Sequence, residues 1–74
     1  MERAELLRRL EQVEQEVSQT LELITRHRNI LAEFGGKEVD GETIEIMLTQ
    51  LEHQLVFQFR ERERLRAELA QLNG

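Results

Sequence analysis

The chain of 74 residues contains no cysteine, no proline, no tryptophan and no tyrosine, and three phenylalanines are its only aromatic residues. Without cysteine, a disulfide framework, a thiolate zinc site and a cysteine nucleophile are all excluded. A chain this short buries a small fraction of its surface. Its stability therefore depends on very regular helix packing or on association with another chain.

Long apolar runs are also missing, since no stretch approaches the roughly 18 residues needed to span a bilayer. The N-terminal sequence MERAE lacks the basic-then-apolar order of a secretory signal, so we expect a cytoplasmic protein without membrane contact. The net charge of −5, with a single lysine, is opposite to the charge that binds phosphate backbones. Nucleic acid is therefore a disfavoured partner.

The four glycines occur only at positions 35, 36, 41 and 74. Residues 2–34 and 41–73 are rich in leucine, glutamate, arginine and glutamine, which favour helices. In the connecting residues 35–40, Gly35 is suited to end one helix and Asp40 to begin the next. Such a short connection places long helices side by side, so the sequence predicts a single all-α domain, an antiparallel helical hairpin.

Apolar side chains recur in both helices with alternating spacings of three and four residues, which defines one buried stripe on each helix. The first stripe is Leu6, Leu10, Val13, Val17, Thr20, Ile24, His27, Leu31 and Phe34. The second is Ile44, Leu48, Leu51, Leu55, Gln58, Arg62, Leu65, Leu69 and Leu72. Folding the chain at the turn pairs the two series in nine layers, as in a coiled coil.

From these layers we predict a hairpin core and a polar layer in its middle. The core residues are Leu10, Val13, Val17, Ile24, Leu31, Leu48, Leu51, Leu55, Leu65 and Leu69. The polar layer is formed by Thr20, Gln58 and Arg62. Polar groups at such positions fix register and oligomeric state at some loss of stability. The alternative for this layer is a ligand pocket inside a bundle.

Acidic and basic residues lie at similar levels on the two helices, so we expect ion pairs across the hairpin that help to select the register. The expected levels bring Glu14 and Glu16 near Arg64 and Arg62, and Glu11 near Arg66.

Further apolar residues lie outside the two stripes, where a two-helix contact does not cover them. We expect the following to form a dimer or partner interface: Leu23, Ile30, Phe34, Ile46 and Phe57. A second copy is the simplest occupant, because closed two-fold dimers are the commonest oligomers and two hairpins make a four-helix bundle. A different protein is the alternative.

The residues offer no evident catalytic or metal site. Neither His27 nor His53 follows a glutamate by three residues, as the ligands of helical di-metal bundles do. His27 is instead expected to be a hydrogen-bonded core or interface residue. The polar layer contains no nucleophile beside a base, so we expect neither enzymatic activity nor a cofactor.

Three segments around and after the turn carry a resemblance to a known group. They read RHRxIL at 26–31, MLxxLExxL at 47–55 and RxxLxxEL at 62–69, with the glycine-containing turn and Asp40 between the first two. The pattern resembles short helical-hairpin proteins of alphaproteobacteria that have no established activity. The resemblance implies a small bacterial cytoplasmic protein and no particular mechanism.

We therefore expect a non-enzymatic interaction or scaffold protein that acts as a homodimer. The alternative is a small regulatory accessory protein that binds nucleic acid or a regulator through the arginines at positions 60–66. Interleaved glutamates and the lack of tyrosine and tryptophan for base stacking weigh against that alternative.

Overall fold

A computed structural model of the protein describes residues 2–34 and 41–73. It contains two long helices, α1 (Arg3–Phe34) and α2 (Gly41–Asn73), and no strand within the described residues. The two helices pack against each other as an all-α hairpin that measures 55 × 15 × 14 Å. The fold class predicted from the helix-forming composition is confirmed at this level. The expected turn, with Gly35 and Asp40, lies outside the described residues.

Two ion pairs fix the relative direction of the helices. Near the end of α1, Arg28 Nη2 lies 3.2 Å from Glu52 Oε1 in the early part of α2. Near the end of α2, Arg66 Nη2 lies 3.0 Å from Glu14 Oε1 in the early part of α1. Because early residues of each helix meet late residues of the other, α1 and α2 run antiparallel. We call the end where α1 finishes and α2 begins the turn end.

The contact between the helices, which we call the seam, holds two apolar clusters. The cluster far from the turn end has Leu6, Val13, Val17 and Leu65 buried, with Leu10, Leu55, Phe59 and Leu69 packed against them. The cluster near the turn end has Ile24, Ile44 and Leu48 buried, with Leu31, Leu51 and Leu55 packed against them. The ten expected core residues all lie in these clusters.

The expected polar layer lies between the two clusters. Thr20 is 2% exposed, while Gln58 and Arg62 are half-buried. Gln58 Oε1 and Arg62 Nε are buried, and no atom of residues 2–34 or 41–73 forms a hydrogen bond with either. Unpaired buried polar atoms lower stability, so this level interrupts the apolar packing of the seam.

The apolar stripe of α2 does not stay buried to its end. Leu72, expected to pair with Leu6, is 53% exposed, whereas Leu6 is only 1% exposed. Leu72 is the second-last residue of α2, and α1 begins only three residues before Leu6, so little of the facing helix remains to cover it. Within the described residues, neither helix contains an apolar stretch long enough to cross a membrane.

Candidate interaction surface

Two long faces flank the seam, and they carry different side chains. The first, which we call the paired face, bears the two ion pairs that link α1 to α2, Arg28 with Glu52 and Arg66 with Glu14. Leu21 lies on the same line of α1, seven residues from both Glu14 and Arg28, a spacing that keeps residues on one side of a packed helix. The paired face is therefore a mixture of charged and apolar groups that the hairpin itself partly joins.

The ion pairs differ from the expected ones. Arg66 pairs with Glu14 rather than Glu11. Helical side chains lean towards the N-terminus of their own helix, which carries Arg66 towards the turn end and so towards Glu14. Arg64 pairs within α2, at 2.5 Å from Glu61 and 2.6 Å from Glu68, because residues three and four apart are nearer than the opposite helix.

The remaining expected pair, Glu16 with Arg62, is also replaced by contacts within α2. Arg62 Nε lies 3.8 Å from Glu63 Oε1, and its guanidinium carbon lies 4.8 Å from the centre of the Phe59 ring. This is a cation–π distance. Phe59 is half-buried against the seam, so Arg62 covers part of an aromatic ring that would otherwise face water.

The opposite face, which we call the groove face, carries three shallow grooves in a row between α1 and α2. The groove at the turn end is lined by Leu23, His27, Met47, Gln50, Leu51 and Gln54. The middle groove is lined by Glu16, Gln19, Thr20, Leu23, Gln54 and Gln58. The terminal groove is lined by Leu6, Glu68, Gln71 and Leu72. The face therefore changes from a mainly apolar groove at the turn end, through a groove rich in amides, to a terminal groove in which two leucines lie beside a glutamine and a glutamate.

His27 contributes to the apolar part of this face. It is half-buried, and its Nδ1 lies 2.7 Å from the backbone oxygen of Leu23. Because a carbonyl oxygen only accepts, Nδ1 donates this hydrogen bond. The contact satisfies one ring nitrogen within α1, so the ring closes the groove floor as an ordinary packing group. His53, by contrast, is exposed.

The residues expected at an interface are exposed in the single chain, as an interface with another chain requires. Phe57 is 71% exposed and Ile46 54% exposed, while Leu23 and Ile30 are less so. Leu23 lines two of the grooves, and Phe57 follows Gln54 by three residues at the outer edge of the groove face. Ile46 lies on the far side of α2. Phe34 ends α1, and its side chain lies outside the described residues.

Electrostatic effects are concentrated in the arginine-rich part of α2. A hydrogen bond from Arg64 lowers the pKa of Glu61, and attraction to Arg9 across the seam acts in the same direction. The hydrogen bond to Glu61 likewise raises the pKa of Arg64. Arg64 is exposed and Glu61 half-buried, with 46% and 42% of their side-chain surfaces in water, so this is an ion pair in contact with solvent rather than an acid and base enclosed in a pocket. Within residues 2–34 and 41–73, no three acidic or histidine side chains lie together as metal ligands would.

Sequence reasoning did not assign Gln54 to the interface, although it lines the turn-end groove together with Met47. A signal was available, since the two residues are seven apart and lie beside the stripe of α2 on the side that faces Leu23 and Ile30. Gln54 is polar, so an apolar spacing pattern does not include it in the row of residues that runs beside the stripe of α2.

Comparison with known proteins does not assign this chain to a family. No protein-family model matches this chain, and neither the curated proteins nor the solved structures gave a significant match. The resemblance to alphaproteobacterial hairpin proteins therefore stays an expectation.

Proposed function

We propose that this protein is a non-enzymatic interaction module that acts as a homodimer, in which two hairpins form a four-helix bundle. The observation that carries the proposal is surface area. A folded monomer of this mass exposes about 4,800 Å², whereas the chain of 8.8 kDa exposes 5641 Å². The excess of roughly 840 Å² is close to the ~800 Å² that each partner contributes to a standard interface.

The composition of the exposed area favours protein contact. Large apolar side chains remain exposed on both helices, among them Phe57, Met47 and Leu23. Each is outside the seam, so further tightening of the hairpin does not bury it. A hairpin of two helices has only one seam, and a second layer of helices is the usual way to cover the remaining apolar surface.

A second copy is the simplest partner of that kind, because it supplies an equally apolar helical surface of the same length in a closed two-fold assembly. The arginine-rich part of α2 gives less support to nucleic-acid binding. Arg64 and Arg66 each pair with two glutamates. Their charge is thus largely compensated, whereas binding to phosphates requires uncompensated cations.

Sedimentation equilibrium over a micromolar concentration range tests the proposal. We expect the wild-type mass to approach twice that of the chain and the variant Phe57→Glu to shift towards the monomer, because a buried unpaired carboxylate is strongly unfavourable. Glu63→Ala is the control on the same helix, with an exposed side chain, and should leave the mass unchanged. A wild-type monomer at the highest concentration would contradict the proposal.

A further inference from the structure

We infer that the second copy docks on the groove face and that the two hairpins lie side by side with their turn ends together. The two-fold axis then runs along the length of the bundle. This inference rests on the proposed homodimer, but it specifies which surface is used and in which orientation.

The choice of face follows from what a docking hairpin would meet. In the described part of the chain, both ion pairs that cross between the helices lie on the paired face, each with about half or more of its side-chain surface in water. Covering that face would strip water from charged groups at both of its ends, whereas the turn-end part of the groove face is lined by Leu23, Met47 and Leu51. The groove face instead offers three concave stretches in line, and ridges of one helix layer pack into such grooves of another.

The middle groove gives a second reason. Gln58 lines this groove and is half-buried in it. Gln19 and Gln54 line the same groove and carry amide donors. When two middle grooves face each other, the exposed amides of Gln19 and Gln54 in one copy meet those of the other and exchange hydrogen bonds with them.

The order of side chains along the groove face selects the orientation. With the turn ends together, α1 of one copy lies against α2 of the other at equal levels. Ile30 then faces Met47 of the second copy, and Arg9 faces Glu68 of the second copy. Apolar groups meet apolar groups and opposite charges meet. Glu16 faces Glu61 in this arrangement, where the hydrogen bond from Arg64 already compensates the charge of Glu61.

In the opposite orientation, with the turn ends apart, the side chains that the two groove faces bring together are poorly matched. Each helix then lies against its own copy in reverse, so that Ile30 faces Arg9 and Met47 faces Glu68. Both contacts press a charged side chain, already paired in its own chain with Glu5 or Arg64, against an apolar side chain that offers it no hydrogen bond in place of the lost water.

Spin labels at three levels of α1 test the orientation. The chain has no cysteine, so the single variants Arg8→Cys, Gln15→Cys and Asn29→Cys each carry one label per copy. These positions are exposed and are separated by multiples of seven residues, so they lie on one line opposite the seam. Double electron–electron resonance then gives the distance between the two spin labels, one on each copy, at each level.

With the turn ends together, the three distances should agree within about 5 Å. With the turn ends apart, the separation along the axis changes by twice the 1.5 Å rise for each residue from the middle of α1, so the distance at Gln15, near that middle, should be about 10 Å or more shorter than the distances at Arg8 and Asn29. Unequal distances in a protein of dimer mass would overturn the orientation and leave the proposed dimer standing. Monomer mass without any distance between copies would overturn both.

Discussion

The paired face and the groove face border the same seam, yet they differ in how far contacts within the hairpin cover their side chains. On the paired face, Arg66 and Glu14 join the helices at 3.0 Å, and Arg62 lies over the half-buried ring of Phe59. On the groove face, the turn end shows Leu23 and Met47 at the rim of an apolar groove. One face is completed largely by contacts within the hairpin, and the other is not.

The difference shows that exposed apolar area alone does not define an interface. Leu7 and Leu21 on the paired side are as exposed as Leu23 on the groove side. The two faces differ in the side chains that surround these leucines. Charged neighbours must lose water when another chain docks, whereas apolar neighbours do not. A leucine between ion pairs is thus a poorer anchor than a leucine beside Met47 and Leu51.

The largest expected effect comes from placing the same charge on each face in turn. Leu23→Glu on the groove face should raise the dissociation constant of the dimer at least 100-fold, which equals about 2.7 kcal/mol. Leu21→Glu on the paired face should change it less than about threefold. Sedimentation equilibrium of the two variants measures both constants.

The two leucines form a matched pair, since they lie two residues apart on α1 and are 40% and 45% exposed. Circular dichroism should show equal helix content, because neither residue belongs to the buried clusters. Equal losses of affinity in the two variants, or a larger loss in Leu21→Glu, would remove the distinction between the faces.

Much of the seam could be predicted from the sequence, because burial in a helical hairpin follows a strict spacing. The alternation of three and four residues identified Val13 and Ile24 in α1, and folding at the glycines matched them to Leu65 and Leu55 in α2. These positions depend only on helical periodicity and on the location of the turn. Neither requires knowledge of side-chain conformation.

The ion pairs and the grooves could not be predicted in the same way. Arg64 has a choice between Glu14 across the seam and Glu61 or Glu68 on its own helix, and energies of similar size decide among them. The groove at the turn end depends on how Met47 and His27 lean over the seam. Such details follow from side-chain direction and packing, which a spacing pattern does not contain.

A smaller effect is expected on the paired face itself. A double-mutant cycle of Glu14→Ala and Arg66→Ala should give a coupling free energy of about 0.2–1 kcal/mol in urea unfolding, because both side chains are nearly half exposed. The coupling should fall towards zero in 1 M salt, where exposed charges are screened. The cycle of Arg28 and Glu52, at 3.2 Å, is the matched control at the other end of this face. A salt-independent coupling above about 2 kcal/mol would mean that the paired face holds the hairpin together.

The smallest expected effect concerns pH and the charged end of the groove face. The hydrogen bond from Arg64 lowers the pKa of Glu61 in the folded chain, so this carboxylate stabilises the fold at pH values above its ordinary pKa of about 4.3. That contribution is lost as the pH falls through the lowered value. Glu61→Gln should therefore melt slightly below wild type at pH 7 and at the same temperature near pH 2.

In a nuclear magnetic resonance titration, Arg64→Gln should raise the pKa of Glu61, whereas the control Arg66→Gln should leave it unchanged. An unchanged pKa in Arg64→Gln would show that another group sets the charge at this end of the groove face.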